Sequence, residues 1–208
     1  MIYCIGNSHV NTFSNSKPLC FSFHNKHFVG HSIGPIIAYN FRKNHLSKVL
    51  NYLKSTSIQK KNDFVTLVVG EVDCRLHLPR QADLQKRKDK DMAEECTQRL
   101  MECYDELRDK GFRVLVCGTH PTTTYTEKDI DNVVVGPIYG DVERRNQICL
   151  YWNESLKTMS EERNIPFISI YKYLVDANNI TKMEFYQDYC HLKSDRVFEF
   201  ILRELESL

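Results

Sequence analysis

Residues 64–75 read Phe-Val-Thr-Leu-Val-Val-Gly-Glu-Val-Asp-Cys-Arg. The first six are largely apolar and β-branched, with no regular polar alternation. A strand of that kind is covered on both faces, as in a parallel sheet with helices above and below. Gly70 closes it, and three charged residues follow in alternation. The same pattern repeats on either side. Residues 2–5 (Ile-Tyr-Cys-Ile) run into Gly6, residues 27–31 (His-Phe-Val-Gly-His) form a weaker candidate, and residues 113–117 and 166–170 supply two more.

Helix-period segments separate these runs. Leu46, Val49, Leu50 and Leu53 make one apolar face, and Ala93, Cys96, Leu100, Tyr104 and Leu107 make a second, stopped by Lys110-Gly111 as a C-cap. Ile148, Trp152, Leu156 and Met159 make a third, with Trp152 expected in the core. Val197, Phe198, Ile201, Leu202 and Leu205 close the chain, with Ser194 expected as their N-cap. Strands alternating with helices predict the α/β class: a three-layer α/β/α, flavodoxin-like fold around a central parallel sheet of about five strands. One domain is expected over residues 1–208. In such sheets ligands gather beyond the carboxyl ends of the strands. Two stretches read as loops. Residues 79–92 are dominated by charge and are expected to be solvated. Residues 118–143, with Gly118, Pro121, Gly136, Pro137 and Gly140, follow a strand and are expected to border the site.

Composition narrows the function. Hydrophobic residues are 42% of the 208, enough for a real core. The formal net charge is +1, which gives no electrostatic reason to expect nucleic acid or an anionic membrane as partner. No apolar run is long enough to span a bilayer, and the N-terminus lacks a basic start and long apolar stretch, so a cytoplasmic protein is expected. The eight cysteines include no C-x-x-C pair and are read mostly as small buried hydrophobes in a reducing compartment. No Gly-x-Gly-x-x-Gly and no Gly-Lys-Ser/Thr loop is present to cradle phosphate.

Three pieces could carry chemistry. Gly6-Asn7-Ser8-His9 presents a serine at a sharp strand end, where a nucleophile is exposed, although a turn or an N-cap has the same pattern. Asp188-Tyr189-Cys190-His191 places an acid and an imidazole three apart, so the acid can hold one tautomer, although a cap and a surface histidine also fit. Glu71, Asp73 and Arg75 would share one side if the chain stayed extended, as part of a site or as an ion-pair cluster bracing the strand end. His120, His31 and Tyr139 are further candidates for the pocket wall. A metal site from His9, Cys190 and His191 is disfavoured because adjacent ligands converge awkwardly on one ion. The three pieces fall in order at strand ends or loops of one α/β pattern and should share its carboxyl edge.

Together they resemble the SGNH, or GDSL-like, hydrolase superfamily. Gly6-Asn7-Ser8-His9 is similar to its first block, Gly34 to its second-block glycine, Gly70 to Asp73 to its third block, and Asp188-x-x-His191 to its fifth. Gly-Glu-Val-Asp-Cys-Arg also resembles a branch in which Gly-Glu-Ile-Asp-Cys-Arg stands at this place. The resemblance runs from residue 6 to residue 192. It implies an acyl-enzyme on Ser8, with His191 as base and then acid and Asp188 orienting it. The oxyanion would be held by the Ser8 and Gly34 amides. It implies no metal and no cofactor, and a small-molecule or carbohydrate ester, often acetylated, as substrate. Asn7, His9, Glu71, Asp73 and His120 are expected on the substrate side. Two positions depart from the pattern. Asn7 replaces the first-block aspartate. Val72 replaces the third-block asparagine, whose side chain normally donates to the oxyanion, a loss of ~3 kcal/mol. Arg75 is the candidate replacement, its alternative being a pair with Glu71 or Asp73. Two other outcomes stay open: an O-acyltransferase, and a non-catalytic carbohydrate-binding or scaffold protein that kept the fold.

Overall fold

A computed structural model describes residues 1–13, 27–129 and 137–208. Cys20 and Gly136 lie outside the described residues. Strands β1 (Ile2–Gly6), β2 (Phe28–Ser32), β3 (Phe64–Val68) and β4 (Arg113–Val114) form a parallel sheet in the order β2-β1-β3-β4. A parallel pair, β5 (Val116–Cys117) and β6 (Phe167–Ile168), lies beside it. Leu115 separates β4 from β5, and its amide donates to the Val65 carbonyl at 3.0 Å. The two ladders are thereby joined along one chain segment. The expected five strand positions are present, but the fourth is broken at Leu115.

The period-2 alternation of the strands decides which helices cover which face. Tyr3, Ile5, Val65 and Leu67 face the larger core cluster. That cluster is completed by α1 (Phe41–Asn44), α2 (Leu46–Ser55), α3 (Leu78–Gln85), α4 (Asp89–Asp109) and α5 (Val142–Glu162). Ile2 and Cys4 point the other way and pack with Leu115 and Ile168 against Ile201 and Leu205 of α6 (Ser194–Glu206). Trp152 is fully buried. Helix α4 ends as expected: Gly111 takes φ +83°, and the amides of Phe112 and Gly111 reach back to Leu107 and Arg108.

Two expectations need correction. Residues 79–92 are not a loop, because α3 and the start of α4 occupy most of them. Leu78, Pro79, Ala82 and Met92 are buried, and Arg144 clamps the two helices together by ion pairs at 2.8 Å to Asp83 and Asp89. The charges sit on the exposed side of short helices whose apolar anchors are too sparse to show a period. Ser194 is the first residue of α6 rather than its side-chain cap, and its hydroxyl donates to the Asn11 carbonyl at 2.9 Å. That bond ties the last helix to the turn after β1. No helix among the described residues is long and apolar enough to cross a membrane.

Candidate active site

Strand β1 ends at Gly6, packed so closely on β3 that a Cβ there would lie 2.0 Å from the Val68 carbonyl oxygen. The chain then turns into a 3-10 helix, Ser8–Thr12, capped by Asn7, whose side-chain oxygen accepts from the His9 amide at 3.0 Å. The cap leaves Ser8 exposed at the carboxyl edge of the sheet. Asp188 and His191 arrive from the tight segment before α6, closed by the Tyr186–Leu192 bridge and by the Gln187 amide donating to the His191 carbonyl.

Ser8, His191 and Asp188 form one hydrogen-bonded line. Ser8 Oγ is 2.7 Å from His191 Nε2, and His191 Nδ1 is 2.8 Å from Asp188 Oδ2. Asp188 Oδ1 also accepts from the amides of Cys190 and His191, at 2.9 and 2.7 Å. Burial pushes the Asp188 carboxyl up, but these amides and the His191 ring outweigh it and hold it below the usual range. An ionised Asp188 accepts only, so His191 Nδ1 carries the proton and Nε2 presents a lone pair to the serine. Gly34 adopts φ +101°, and a Cβ there would meet nothing within 4 Å, so its backbone borders open space.

The five residues expected on the substrate side, Asn7, His9, Glu71, Asp73 and His120, are all buried, and His9, Glu71 and His120 line one cavity. The chain does not stay extended after Gly70. It turns helical at Glu71 and passes through a π-helical turn, Asp73–His77. Glu71 and Arg75 therefore meet at i, i+4 spacing, and Arg75 Nε donates to Glu71 Oε1 at 2.7 Å. Arg75 Nη1 donates to the Pro137 carbonyl at 2.6 Å. These bonds realise the ion-pair alternative with Glu71. Asp73 turns away and accepts from the Ala38 amide through both oxygens, at 2.9 and 3.0 Å, anchoring the segment that follows Gly34.

Behind Ser8 these groups continue as a chain. Glu71 Oε2 lies 3.2 Å from His9 Nε2, His9 Nδ1 lies 3.1 Å from His120 Nε2, and His120 Nδ1 lies 3.0 Å from the Pro121 carbonyl. Burial opposes ionisation of Glu71, but His9 and Arg75 overcome it and drive its carboxyl well below the usual range. Burial, reinforced by His9, pushes His120 down to about 3, so its ring is neutral. Tyr186, which also contacts His120 and donates to Pro121, was not singled out by sequence reasoning; no local pattern marks it. Of the other candidates, His31 stacks on Tyr52 with ring centroids 3.6 Å apart, and Tyr139 donates to Asp83.

His9, Cys190 and His191 do converge, with one donor atom of each within 4.8 Å of the others. The adjacency of Cys190 and His191 is therefore no obstacle. Both nitrogens of each histidine already have protein partners, however, and burial with the nearby Glu71 raises the Cys190 thiol to about 12.

No protein family and no curated protein matches this sequence. Solved structures do match the fold. A GDSL-like lipase from Bacteroides thetaiotaomicron is 13% identical, covering 100% of this chain and 88% of its own, with a TM-score of 0.65. An acetyl xylan esterase is 15% identical over 100% and 98% of the two chains, with a TM-score of 0.58. A carbohydrate acetylesterase from Sinorhizobium meliloti is 11% identical over 99% and 98%, with a TM-score of 0.56. The chain has the fold of the GDSL-like hydrolases.

Proposed function

We propose that this protein is a serine esterase of the SGNH type, acting on an acetylated carbohydrate or a similar small ester. The observation that carries the reading is the Ser8–His191–Asp188 line, at 2.7 and 2.8 Å, at an exposed strand end. His191 Nε2 takes the Ser8 proton as Oγ attacks the ester carbonyl, and Asp188 stabilises the imidazolium that forms. His191 then returns the proton to the leaving alcohol. Water attacks the acyl-enzyme in the same way and frees the acid. The Ser8 and Gly34 amides receive the oxyanion. The acetyl-ester substrate class is supported by the acetylesterases that share the fold.

Val72 favours a second reading, a binding protein on the same fold, because its side chain donates nothing where the resemblance calls for an asparagine. One experiment separates the two. The wild type should hydrolyse a small activated acetyl ester and take a fluorophosphonate label on Ser8, and Ser8→Ala should do neither. Absence of labelling at any pH from about 6 to 9 would sink the esterase reading.

A further inference from the structure

The helical segment after Gly70 carries a stripe that the Ser8–His191–Asp188 line does not use. Asp73, His77, Gln81 and Gln85 recur at intervals of four through the π-helical turn and into α3, so they share one side of it. That side forms a wall of a cleft of about 240 Å³. Tyr39 and Asn40, from the segment that follows Gly34, form another wall, and Ile37, Leu78 and Met92 add apolar surface. Leu78 and Met92 are buried, whereas Asn40 and Gln85 are exposed, so the cleft has an apolar floor and amides at its mouth. Its walls follow β2 and β3, and β1 stands between those two strands in the sheet. In sheet order they therefore flank the strand that presents Ser8, on the edge where ligands gather.

The lining narrows the ligand. The amides of Asn40, Gln81 and Gln85 each donate and accept, and burial beside Arg80 and Arg75 favours the neutral His77 ring, which does both as well. A hydroxyl group also does both, so it is matched in either role. Asp73 is spent, since both its oxygens accept from the Ala38 amide. Among the described residues of the lining there is no lysine or arginine to pair a phosphate or a carboxylate. The apolar floor suits the C–H face of a ring, and the volume falls below the ~300–1,000 Å³ of pockets for drug-sized molecules, which suits a single ring. The walls are set in advance: the Tyr39 hydroxyl donates to Glu95 at 3.0 Å, Arg99 lies over the Tyr39 ring at 4.1 Å, and Gln85 donates to Gln81 at 3.0 Å. We infer that this cleft holds a neutral sugar ring, the alcohol part of the ester, through Asn40, His77, Gln81 and Gln85. As a leaving-group site it rests on the esterase reading; as a sugar site it does not.

The test uses the intact chain carrying Ser8→Ala, with isotope-labelled side-chain amides. It is titrated with the neutral methyl glycosides of xylose, glucose, galactose and N-acetylglucosamine. The amide signals of Asn40, Gln81 and Gln85, each assigned by its loss in an alanine variant, should shift saturably with at least one of them. Methyl glucuronide, whose carboxylate finds no cation in the lining, should bind more weakly than methyl glucoside. Gln81→Ala should weaken the binding roughly 3- to 10-fold, as loss of one hydrogen-bonding partner does. With Ser8 restored, Gln81→Ala should lower kcat/KM for the acetylated form of that sugar, relative to the small activated acetyl ester, by about the same factor. No saturable shift with any of the four sugars overturns the inference, and so does tighter binding of the glucuronide or unweakened binding in a folded Gln81→Ala. An unchanged kcat/KM ratio overturns the leaving-group role. Where wild-type Ser8 takes no fluorophosphonate label, the esterase reading fails and the titration still decides the sugar site, so the two failures are distinct.

Discussion

Arg145 is fully buried and, among the described residues, has no carboxylate partner. Its guanidinium instead donates to the Thr122 hydroxyl and to the carbonyls of Gly140, Thr123 and Tyr125. It thereby fixes both described ends of the connection between β5 and α5. Arg145→Met would strip donors from several buried oxygens and is expected to cost ~3–5 kcal/mol, read from urea midpoints. Arg145→Lys should recover only a minor part, because one ammonium cannot match a planar fork of donors. Asp188 has a different liability. It is half-exposed and bonded to His191 Nδ1, and under the esterase reading it holds the His191 tautomer. Asp188→Asn should leave the thermal midpoint within a few degrees and lower kcat roughly 10²–10⁴-fold. A folded variant that kept full turnover would remove Asp188 from the mechanism. The two roles are not equally visible in local sequence: Asp188-x-x-His191 is legible because its partners lie three residues apart, whereas Arg145 is an ordinary charge on a helix until the loop it holds is seen.

At the level of elements, the glycines at the strand ends separate packing from chemistry. Gly70 joins β3 to the helical turn with φ +114°, and a Cβ there would lie 2.9 Å from the Trp152 ring. Gly70→Ala must displace a fully buried tryptophan as well as strain the backbone, for ~2–4 kcal/mol. Gly34 has a comparable dihedral but open space around it, so Gly34→Ala should cost only about 1 kcal/mol, from the left-handed conformation alone. Gly34→Ala keeps the backbone N–H and its Cβ meets no atom within 4 Å, so kcat should change far less than on loss of an oxyanion donor. Equal stability losses for the two substitutions would break the distinction. These junctions were legible where apolar period and glycine agree: β1, β3 and α4 lie where their patterns place them. The pattern was silent at α3, whose anchors Leu78, Pro79 and Ala82 are few, and it misled after Gly70. There, alternation of Glu71, Asp73 and Arg75 suggests an extended chain, but the π-helical turn pairs Glu71 with Arg75 and sends Asp73 to Ala38.

On the scale of the molecule, the carboxyl edge of the sheet gathers residues far apart in sequence. The line from Ser8 to His191 could be anticipated from strand ends. The contact of His9 with His120, 111 residues apart, could not, since nothing local ties one loop histidine to another. Asp73 shows how this gathering sets the behaviour of the whole fold. It is completely buried, bonded to the Ala38 amide. Burial raises its carboxyl to about 7 despite that amide and its neighbours, and the charge on Glu71 adds to the effect. A carboxyl that binds its proton more tightly when folded stabilises the native state at low pH. That advantage is lost as pH rises from the ordinary aspartate value towards the folded one. The Asp73 contribution should therefore fall by up to ~1.4 kcal/mol per pH unit between about pH 4 and 7 and level off above, while His120, kept neutral down to about 3, contributes with the opposite slope below about pH 6.5. Glu71 acts with the opposite sign: its carboxyl is held far below the usual range, so its contribution is complete above the ordinary glutamate value and is lost only in stronger acid. Above about pH 5 the two windows do not overlap, and Asp73 governs the difference. Asp73→Asn keeps an acceptor for Ala38 and cannot ionise. Relative to wild type, it should gain stability steadily from pH 5 to about 7 and hold that gain at pH 8, as measured by urea midpoints across the series. Parallel profiles for the two proteins would mean that Asp73 is ionised at little cost, and that burial does not control it.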